Sequence, residues 1–487
     1  MTLIDIVSTI VVWFNFLVFF YMIFINIVYT ILLLGSIKEM YIYRQKTKHW
    51  NDIDLINSNH TPPLSILVPC HNEEDTIVDN VNALLNLIYR EYEIIIINDG
   101  SKDDTMKILI ESFDFVPSEM PYRVQLKTEE VKEIYISSLY DNIVLVDKVN
   151  GGKADALNTG VNLCKYPIFT AIDADSIIER TSLTKVVRPF VLDPTVVASG
   201  GIVRPINDSE VEGGLLKEVV LPTNNLARFQ TVEYLRAFLF GRVSWSAINS
   251  LLIVSGAFGV FKKDIIIKAG GYVKDSLGED MELVTRLHRI LRREKSEYKI
   301  VFVPDPVCWT LVPEDLKTLR AQRKRWHKGL IDTVTDHKSV IFNPKYGTVG
   351  MLGMPYYFLV EVFGVGVEVF GYIVMIISFV LGFINLQFFL MFMCVSVLYG
   401  VFLSLGAVFL EQYNTNKYKK VSEYLWLVLF AILENFGYRQ LITVWRFNAT
   451  FKNSKSKKER EWGDMKRRKF SENADDIIND NDEDEII

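Results

Sequence analysis

Apolar residues gather at the two ends of this 487-residue chain and thin out between them. Residues 3–36 read LIDIVSTIVVWFNFLVFFYMIFINIVYTILLLGS, with no basic residue and one acid at the edge. A spanning helix needs about 20 such residues. A cleaved signal peptide has a basic start and a shorter apolar core. The run therefore predicts one long, tilted span. Lys38, Arg44, Lys46 and Lys48 follow at once. The positive-inside rule puts that side in the cytoplasm and the N-terminus outside.

The second apolar block covers 349–447, with runs at 354–369, 370–384, 387–410 and 423–447. The first carries Glu361 and Glu368, so it either spans or lies at the interface. The last carries Glu434, Asn435, Arg439 and Gln440 mid-way, which is costly in lipid unless these face protein or water. Nine Lys/Arg between Lys452 and Lys469 follow and belong inside. An outside start and an inside end need an odd number of spans, three or five. The acidic end after Phe470 reads as a solvated, disordered tail.

Between these blocks the periodicity changes. Short apolar runs at 64–70, 92–101, 142–148 and 167–176 alternate with helical patterns at 73–90, 103–112 and 153–164. Strands alternating with helices predict an α/β domain with a parallel sheet and right-handed crossovers. Ligands of such sheets bind at the carboxyl ends of the strands. The polar clusters HNEE, NDGS and DAD all fall at those ends. The chain divides into a helix and linker (1–50), an α/β domain (51–340), further membrane or interfacial helices (341–450) and a basic-then-acidic cytosolic tail (451–487).

Composition narrows the choices. Lys+Arg 53 against Asp+Glu 59 gives a net charge of −6, with no global footprint for nucleic acid. Four scattered cysteines without a CxxC pair argue against a zinc knuckle or a disulfide framework.

The strand-end clusters carry the chemistry. Asp173 and Asp175 alternate at a strand end, so both carboxylates fall on one side. Facing a phosphate ligand, such a pair suits Mg²⁺ or Mn²⁺; the plain reading is a solvated turn. Asp99 in NDGS is either a turn residue or an acid that holds a ribose or base edge. Asn150-Gly151-Gly152-Lys153 opens a helix whose N-terminus favours an anion, with Lys153 as a point charge for phosphate. It lacks the Walker A spacing. Gly278-Glu279-Asp280 reads either as a helix start with first-turn acids or as the seat of a general base. Gln322–Trp326 lies on a basic stretch, read as an amphipathic surface helix, as a phosphate clamp with a sugar-stacking Trp, or as both.

The ordered set HNEE, NDGS, NGGKADALN, DADS, VSGAFGVFKKD, LGEDMEL and QRKRW resembles the processive, membrane-embedded family-2 glycosyltransferases. Cellulose, hyaluronan, chitin and bacterial poly-N-acetylglucosamine synthases belong to that group. The resemblance covers residues 62–340, and VEYLRAFLFGR (232–242) and WGDMKRRKF (462–470) look most like the poly-N-acetylglucosamine type. It implies a GT-A fold and a UDP-sugar donor. It implies that Glu73 and Asp99 hold uridine, that Lys153 lies near the nucleotide, and that Asp173 and Asp175 contact UDP and its Mg²⁺ or Mn²⁺. Asp280, beside Glu279, matches the catalytic base. Gln322 and Arg325 match groups facing the diphosphate, Trp326 a platform under the acceptor sugar, and Gly256 in VSGAFG an acceptor-side position.

The chain departs from that pattern in carrying GED where many synthases have TED. It also has an added stretch at 113–141, either a docking loop for an accessory synthase subunit or a tolerated insertion. No PilZ-like domain follows the membrane block, which predicts no cyclic-di-GMP control through this chain.

The expectation is thus an inverting transferase of the plasma membrane, multi-pass, with its catalytic domain cytoplasmic. It polymerises a β-linked polysaccharide from a UDP-sugar, N-acetylglucosamine over glucose, and helps export it. The growing polysaccharide is the acceptor and the lipid bilayer the surroundings. Two other readings compete: a non-processive transferase charging a lipid carrier, and an inactive scaffold subunit. Intact Asp173, Asp175, Asp280 and Trp326 count against the scaffold.

Overall fold

A computed structural model describes residues 3–48, 55–56, 58–212, 215–274, 276–415 and 417–451. The expected tail at 451–487 and the motif at 462–470 lie outside the described residues, apart from residue 451. Helix α1 (Leu3–Thr47) is 45 residues long. At about 1.5 Å per residue it is roughly twice the thickness of a hydrocarbon core. Its C-terminal part therefore continues into the α/β domain, where Met40 is fully buried and Tyr43 donates to Asp305 at 2.5 Å.

The α/β domain begins with β1 (Leu64–Cys70), α2 (Ile77–Leu85), β2 (Tyr92–Asn98) and α3 (Thr105–Phe113). Next come β3 (Phe115–Pro117), β4 (Val131–Ser137), β5 (Ile143–Lys148), α4 (Lys153–Leu163) and β6 (Ile168–Ile172). Apolar runs such as LSILVPC form strands because helices cover both faces, and every residue of β1 is buried. The chain continues through β7 (Ser176–Ile178), α5 (Ser182–Leu192) and β8 (Val196–Pro205). A small hairpin follows, β9 (Glu210–Glu212) with β10 (Leu215–Glu218), and then α6 (Asn225–Leu235). The remaining elements are β11 (Phe258–Lys262), α7 (Lys263–Lys268), α8 (Glu279–Arg293), β12 (Lys299–Thr310) and α9 (Leu316–Asp336).

The ten-stranded sheet runs β3-β4-β5-β2-β1-β6-β11-β8-β12-β7. Its centre is parallel, with Leu64 opposite Tyr92 and Leu64 opposite Ile168. The flanks are not: β11 lies antiparallel between β6 and β8, and β3 and β4 are antiparallel on the other edge. The sheet is mixed, and the parallel order read from the sequence holds through β5-β2-β1-β6 and again between β8 and β12. The 113–141 stretch supplies β3, β4 and a loop strapped to α4, where Asn162 accepts from Gln125 and Leu126 N–H groups at 2.9 and 2.8 Å.

Among the described residues, four helices are long and apolar enough to cross a membrane: 6–47, 349–380, 386–414 and 421–451. Three or five were expected. The runs at 354–369 and 370–384 merge into one helix, α10 (Val349–Val380), because nothing between them breaks helical geometry. Helix α10 runs antiparallel to α1, with Asn15 bonded to Ser378 and Tyr21 to the Leu359 carbonyl, and helix α11 (Leu386–Asn414) returns parallel to α1, with Asn26 bonded to the Val395 carbonyl and Arg44 to the Tyr413 carbonyl. The fourth candidate is broken into α12 (Val421–Leu433) and α13 (Arg439–Phe451). At the break Gly437 has φ 120°, a region only glycine adopts easily. Each arm of 13 residues is about 20 Å long, short of a bilayer core of about 30 Å.

Both arms pack on the α/β domain. Arg228 lies 4.5 Å from the Trp426 ring, and Phe229 meets Phe430 edge-on at 4.7 Å. On the second arm Ile442 and Trp445 cluster with Leu319, and Thr450 lies 3.1 Å from His327 Nε2.

Candidate active site

The carboxyl ends of β1, β2, β5 and β6 open on a cavity of about 1830 Å³. Its wall holds Glu73, Asp99, Lys153, Asp173, Asp175, Gly256, Glu279, Asp280, Gln322, Arg325 and Trp326. Every candidate drawn from the sequence thus faces one space, although the side chains differ in what they are free to do.

Lys153, in the first turn of α4, sits at the centre. Its Nζ lies 2.6 Å from Asp173 Oδ1 and 3.3 Å from Glu279 Oε1. Burial works against the ammonium, but Asp173 and Glu279 outweigh it and hold Lys153 charged well above its ordinary range. A Cβ on Gly256 would lie 3.3 Å from that Nζ and 3.7 Å from Asp280 Cβ, a close fit that a small shift of the Lys153 end would relieve.

Asp280 stands beside this cluster at the start of α8. Burial raises its pKa, and the neighbouring Glu279 carboxylate raises it further. It accepts the Met281 N–H at 2.7 Å. A carboxylate has about four acceptor positions, so capacity remains for a hydroxyl.

Asp173 and Asp175 follow β6, and the Asp173 side chain keeps 30% exposure toward the cavity. No group of three or more His, Cys, Asp or Glu poised for a metal occurs among the described residues. Two carboxylates completed by diphosphate oxygens and water are a donor set that fits Mg²⁺ or Mn²⁺.

Glu73 is buried, takes the Thr76 hydroxyl at 3.2 Å and lines the β1 end. Asp99 is different. It is fully buried, and its oxygens accept Gly151 N–H at 2.9 Å, Gly152 N–H at 2.7 Å and Lys148 Nζ at 2.6 Å. Its carboxylate is turned to the glycine turn and away from a ligand. Lys148, fully buried, also meets Asp155 Oδ1 at 2.7 Å. Asp155 in turn takes the Glu129 N–H at 3.1 Å. This buried triad shapes the Asn150–Lys153 turn and was not singled out from the sequence. Its signal is a lysine closing the apolar strand IVLVDK, where a charge needs buried partners.

GED and QRKRW meet through glycine. Gly278 and Gly329 touch backbone to backbone: a Cβ on Gly329 would lie 2.7 Å from Gly278 N and 2.9 Å from its Cα. A Cβ on Gly278 would come within 3.2 Å of Gly329 Cα. Glycine in place of the threonine of TED therefore lets α8 and α9 approach closely. Trp326 is 44% exposed to the cavity. Beyond it the wall continues past Arg236, Glu361, Glu368, Arg439 and Thr443 among the apolar helices.

Much of this chain is similar to known glycosyltransferases. The model of "Glycosyl transferase family 2" matches residues 65–262, and that of "Glycosyl transferase family group 2" matches 168–403. A poly-beta-1,6-N-acetyl-D-glucosamine synthase of Staphylococcus epidermidis is 31% identical over 318 residues. That alignment spans 65% of this chain and 65% of the relative. A synthase of the same name from Staphylococcus aureus (strain MSSA476) is 32% identical over 320 residues, again 65% of each. Among solved structures, a mannosyltransferase from Pyrobaculum calidifontis, in complex with GDP-Man and Mn²⁺, superposes at TM-score 0.47 and 17% identity. The match covers 85% of this chain and 99% of that one.

Proposed function

Since the chain belongs to glycosyltransferase family 2, we propose that it builds a β-linked N-acetylglucosamine polymer from UDP-N-acetylglucosamine and passes it through the membrane. One observation carries this reading. Donor acids, Lys153, the acid pair Glu279–Asp280 and Trp326 share one cavity, and that cavity runs on into the apolar helices along polar side chains. A transferase adding a single sugar to a lipid carrier has no need of that extension.

The chemistry follows from charge placement. An acceptor hydroxyl is a poor nucleophile, and Asp280 accepts its proton as the hydroxyl attacks the anomeric carbon. Burial and the Glu279 carboxylate raise its pKa, which strengthens it as a base. Attack from the face opposite UDP inverts the centre, so an α-linked donor gives a β-linked product. Lys153 and Arg325 offset the negative charge that UDP gains as it leaves. Asp175 and Asp173 would hold Mg²⁺ or Mn²⁺, which would supply further positive charge at the diphosphate. Glu73 lines the uridine end, Asp99 fixes the glycine turn, Gln322 faces the diphosphate beside Arg325, and Trp326 faces the acceptor.

The catalytic domain faces the cytoplasm of a plasma-membrane protein. The basic residues after α1 support that side. Helices α1, α10 and α11 cross, and the broken segment 421–451 stays on the catalytic side, which restores an odd count of three.

The test is to incubate the purified protein in lipid with separate labelled UDP-sugars and to size the product. A long polymer from UDP-N-acetylglucosamine alone is the expected result. A single sugar on a lipid carrier, or no incorporation, would overturn the proposal.

A further inference from the structure

The QRKRW motif contains a residue that does none of the jobs assigned above. Arg323 is 3% exposed, so it contributes almost nothing to the cavity surface. Its guanidinium carbon sits 4.4 Å from the Trp326 ring centroid. Its Nη1 donates to Gln322 Oε1 at 2.9 Å, and its Nη2 donates to Glu233 Oε2 at 2.8 Å. That same Glu233 oxygen accepts the Tyr438 hydroxyl at 3.0 Å. Tyr438 lies beside the Phe436–Gly437 break, is buried, and stacks on Phe229 at 4.7 Å and 11°.

We infer that Arg323 is a positioning residue that sets the plane of Trp326 and the orientation of the Gln322 amide, and that Glu233 and Tyr438 hold it in place. Three and four residues apart on a helix share one face, so Arg323 lies under Trp326. A planar guanidinium can stack on an indole and at the same time present forked donors to two acceptors. An ammonium has neither the plane nor the fork. A nearly buried Arg also needs its carboxylate, because removing one partner leaves a stranded charge. Tyr438 ties this arrangement to the broken segment. The acceptor platform is thereby referenced to the membrane-side helices and not to α9 alone.

The inference rests on the reading of Trp326 as the platform for the acceptor sugar. The test uses the full chain in lipid with UDP-N-acetylglucosamine and the variants Arg323→Lys, Tyr438→Phe, Trp326→Ala and the double variant Tyr438→Phe/Trp326→Ala. Three quantities are read: UDP affinity, total UDP release, and the fraction of released UDP matched by sugar in polymer. Trp326→Ala is expected to lower that fraction by about tenfold and leave UDP affinity unchanged, on the scale of one lost stacking contact. Arg323→Lys and Tyr438→Phe are expected to lower it several-fold, Tyr438→Phe with UDP affinity unchanged. The double variant is expected to behave like Trp326→Ala, since groups that act through one another are non-additive. If Trp326→Ala leaves the fraction unchanged, the platform reading fails and the inference falls with it. If Trp326→Ala uncouples but the other two variants do not, or if Tyr438→Phe adds its full effect in the double variant, the platform stands and the positioning role is refuted. Tyr438→Phe removes one hydroxyl, so it keeps the test open should Arg323→Lys fail to fold.

Discussion

Replacing Gly329 by alanine adds one methyl group at the contact between α8 and α9. The new Cβ would lie 2.7 Å from Gly278 N, 2.9 Å from Gly278 Cα and 2.9 Å from the Leu277 carbonyl carbon. Comfortable separations between carbon atoms are about 3.5–4.0 Å. All three neighbours are backbone, so no side chain can swing aside. Relief therefore requires the helices to separate by roughly 0.6–1 Å, the difference between those spacings. Asp280 lies two residues from Gly278 and Trp326 three residues from Gly329, so base and platform move apart together. Displacements near 1 Å cost about 10²-fold in rate. Local overpacking costs about 1–3 kcal/mol. The assay is the initial rate of polymer formation beside UDP affinity, both in lipid. The expected result is a loss near 10²-fold with UDP binding retained, because the donor acids Asp173 and Asp175 follow β6, away from this contact. Gly278→Ala, with its nearest approach at 3.2 Å, should cost less. A Gly329→Ala enzyme of near-normal rate would refute the claim that this glycine contact sets the distance between base and platform.

Asp280→Asn should lower transfer by 10²–10⁴-fold, the usual worth of a general base, with UDP affinity little changed; a near-normal turnover would remove Asp280 from the mechanism. Because burial and Glu279 raise the Asp280 pKa and the base acts deprotonated, kcat/KM should fall on the acid side with a midpoint above the ordinary Asp value of about 3.9. Glu279→Gln should shift that midpoint to lower pH, and an unmoved midpoint would show that another group titrates. Activity should vanish in EDTA and return with Mg²⁺ or Mn²⁺, whereas full activity in excess chelator would give Asp173 and Asp175 another role. Lys148→Met leaves Asp99 and Asp155 buried without their cation and should destabilise the fold by about 3–5 kcal/mol, read as a lowered thermal midpoint in detergent. In a Cys394→Ser background, Lys419→Cys and Phe451→Cys should both resist an impermeant maleimide in intact cells and both react after permeabilisation; labelling of one alone in intact cells would mean that segment 421–451 crosses.

The strand ends were legible because burial and alternation leave a plain mark: LSILVPC and YEIIIIN are strands, and the polar clusters follow them. Roles inside the clusters were less legible. Asp99 in a turn motif looks available for a ligand, yet its partners, Lys148 and two glycine amides, lie about fifty residues away in sequence. Pairing across parallel strands brings them together, and no local pattern records it. Arg323 read as one more cation on a basic stretch because its partners, Glu233 and Tyr438, come from two other helices. The mixed order of the sheet was hidden for a similar reason, since antiparallel insertion of β11 depends on which neighbour a strand finds.

The membrane count turns on the same distinction between local pattern and tertiary partner. Averaged over a window, 421–451 passes as a span. Its polar residues argue otherwise, and their partners say why they are tolerated. Central charges in lipid cost about 2.5–3.5 kcal/mol each on insertion scales. Here Glu434 is buried against Arg236 at 2.7 Å and takes the Ser404 hydroxyl, while Arg439 donates to Asn435 at 2.9 Å. Thr443 meets Glu368 at 3.0 Å, and Arg446 meets Glu361 at 2.8 Å. Arg236, Glu361, Glu368, Arg439, Thr443 and Arg446 all line the cavity that begins at the donor acids. The charges that disfavour a crossing are therefore placed against protein and a polar passage, and the break at Gly437 turns the segment back toward the catalytic helices. On the proposed reading, a polymer leaving Trp326 would meet paired charges and hydroxyls there, groups that can exchange hydrogen bonds with sugar as it moves.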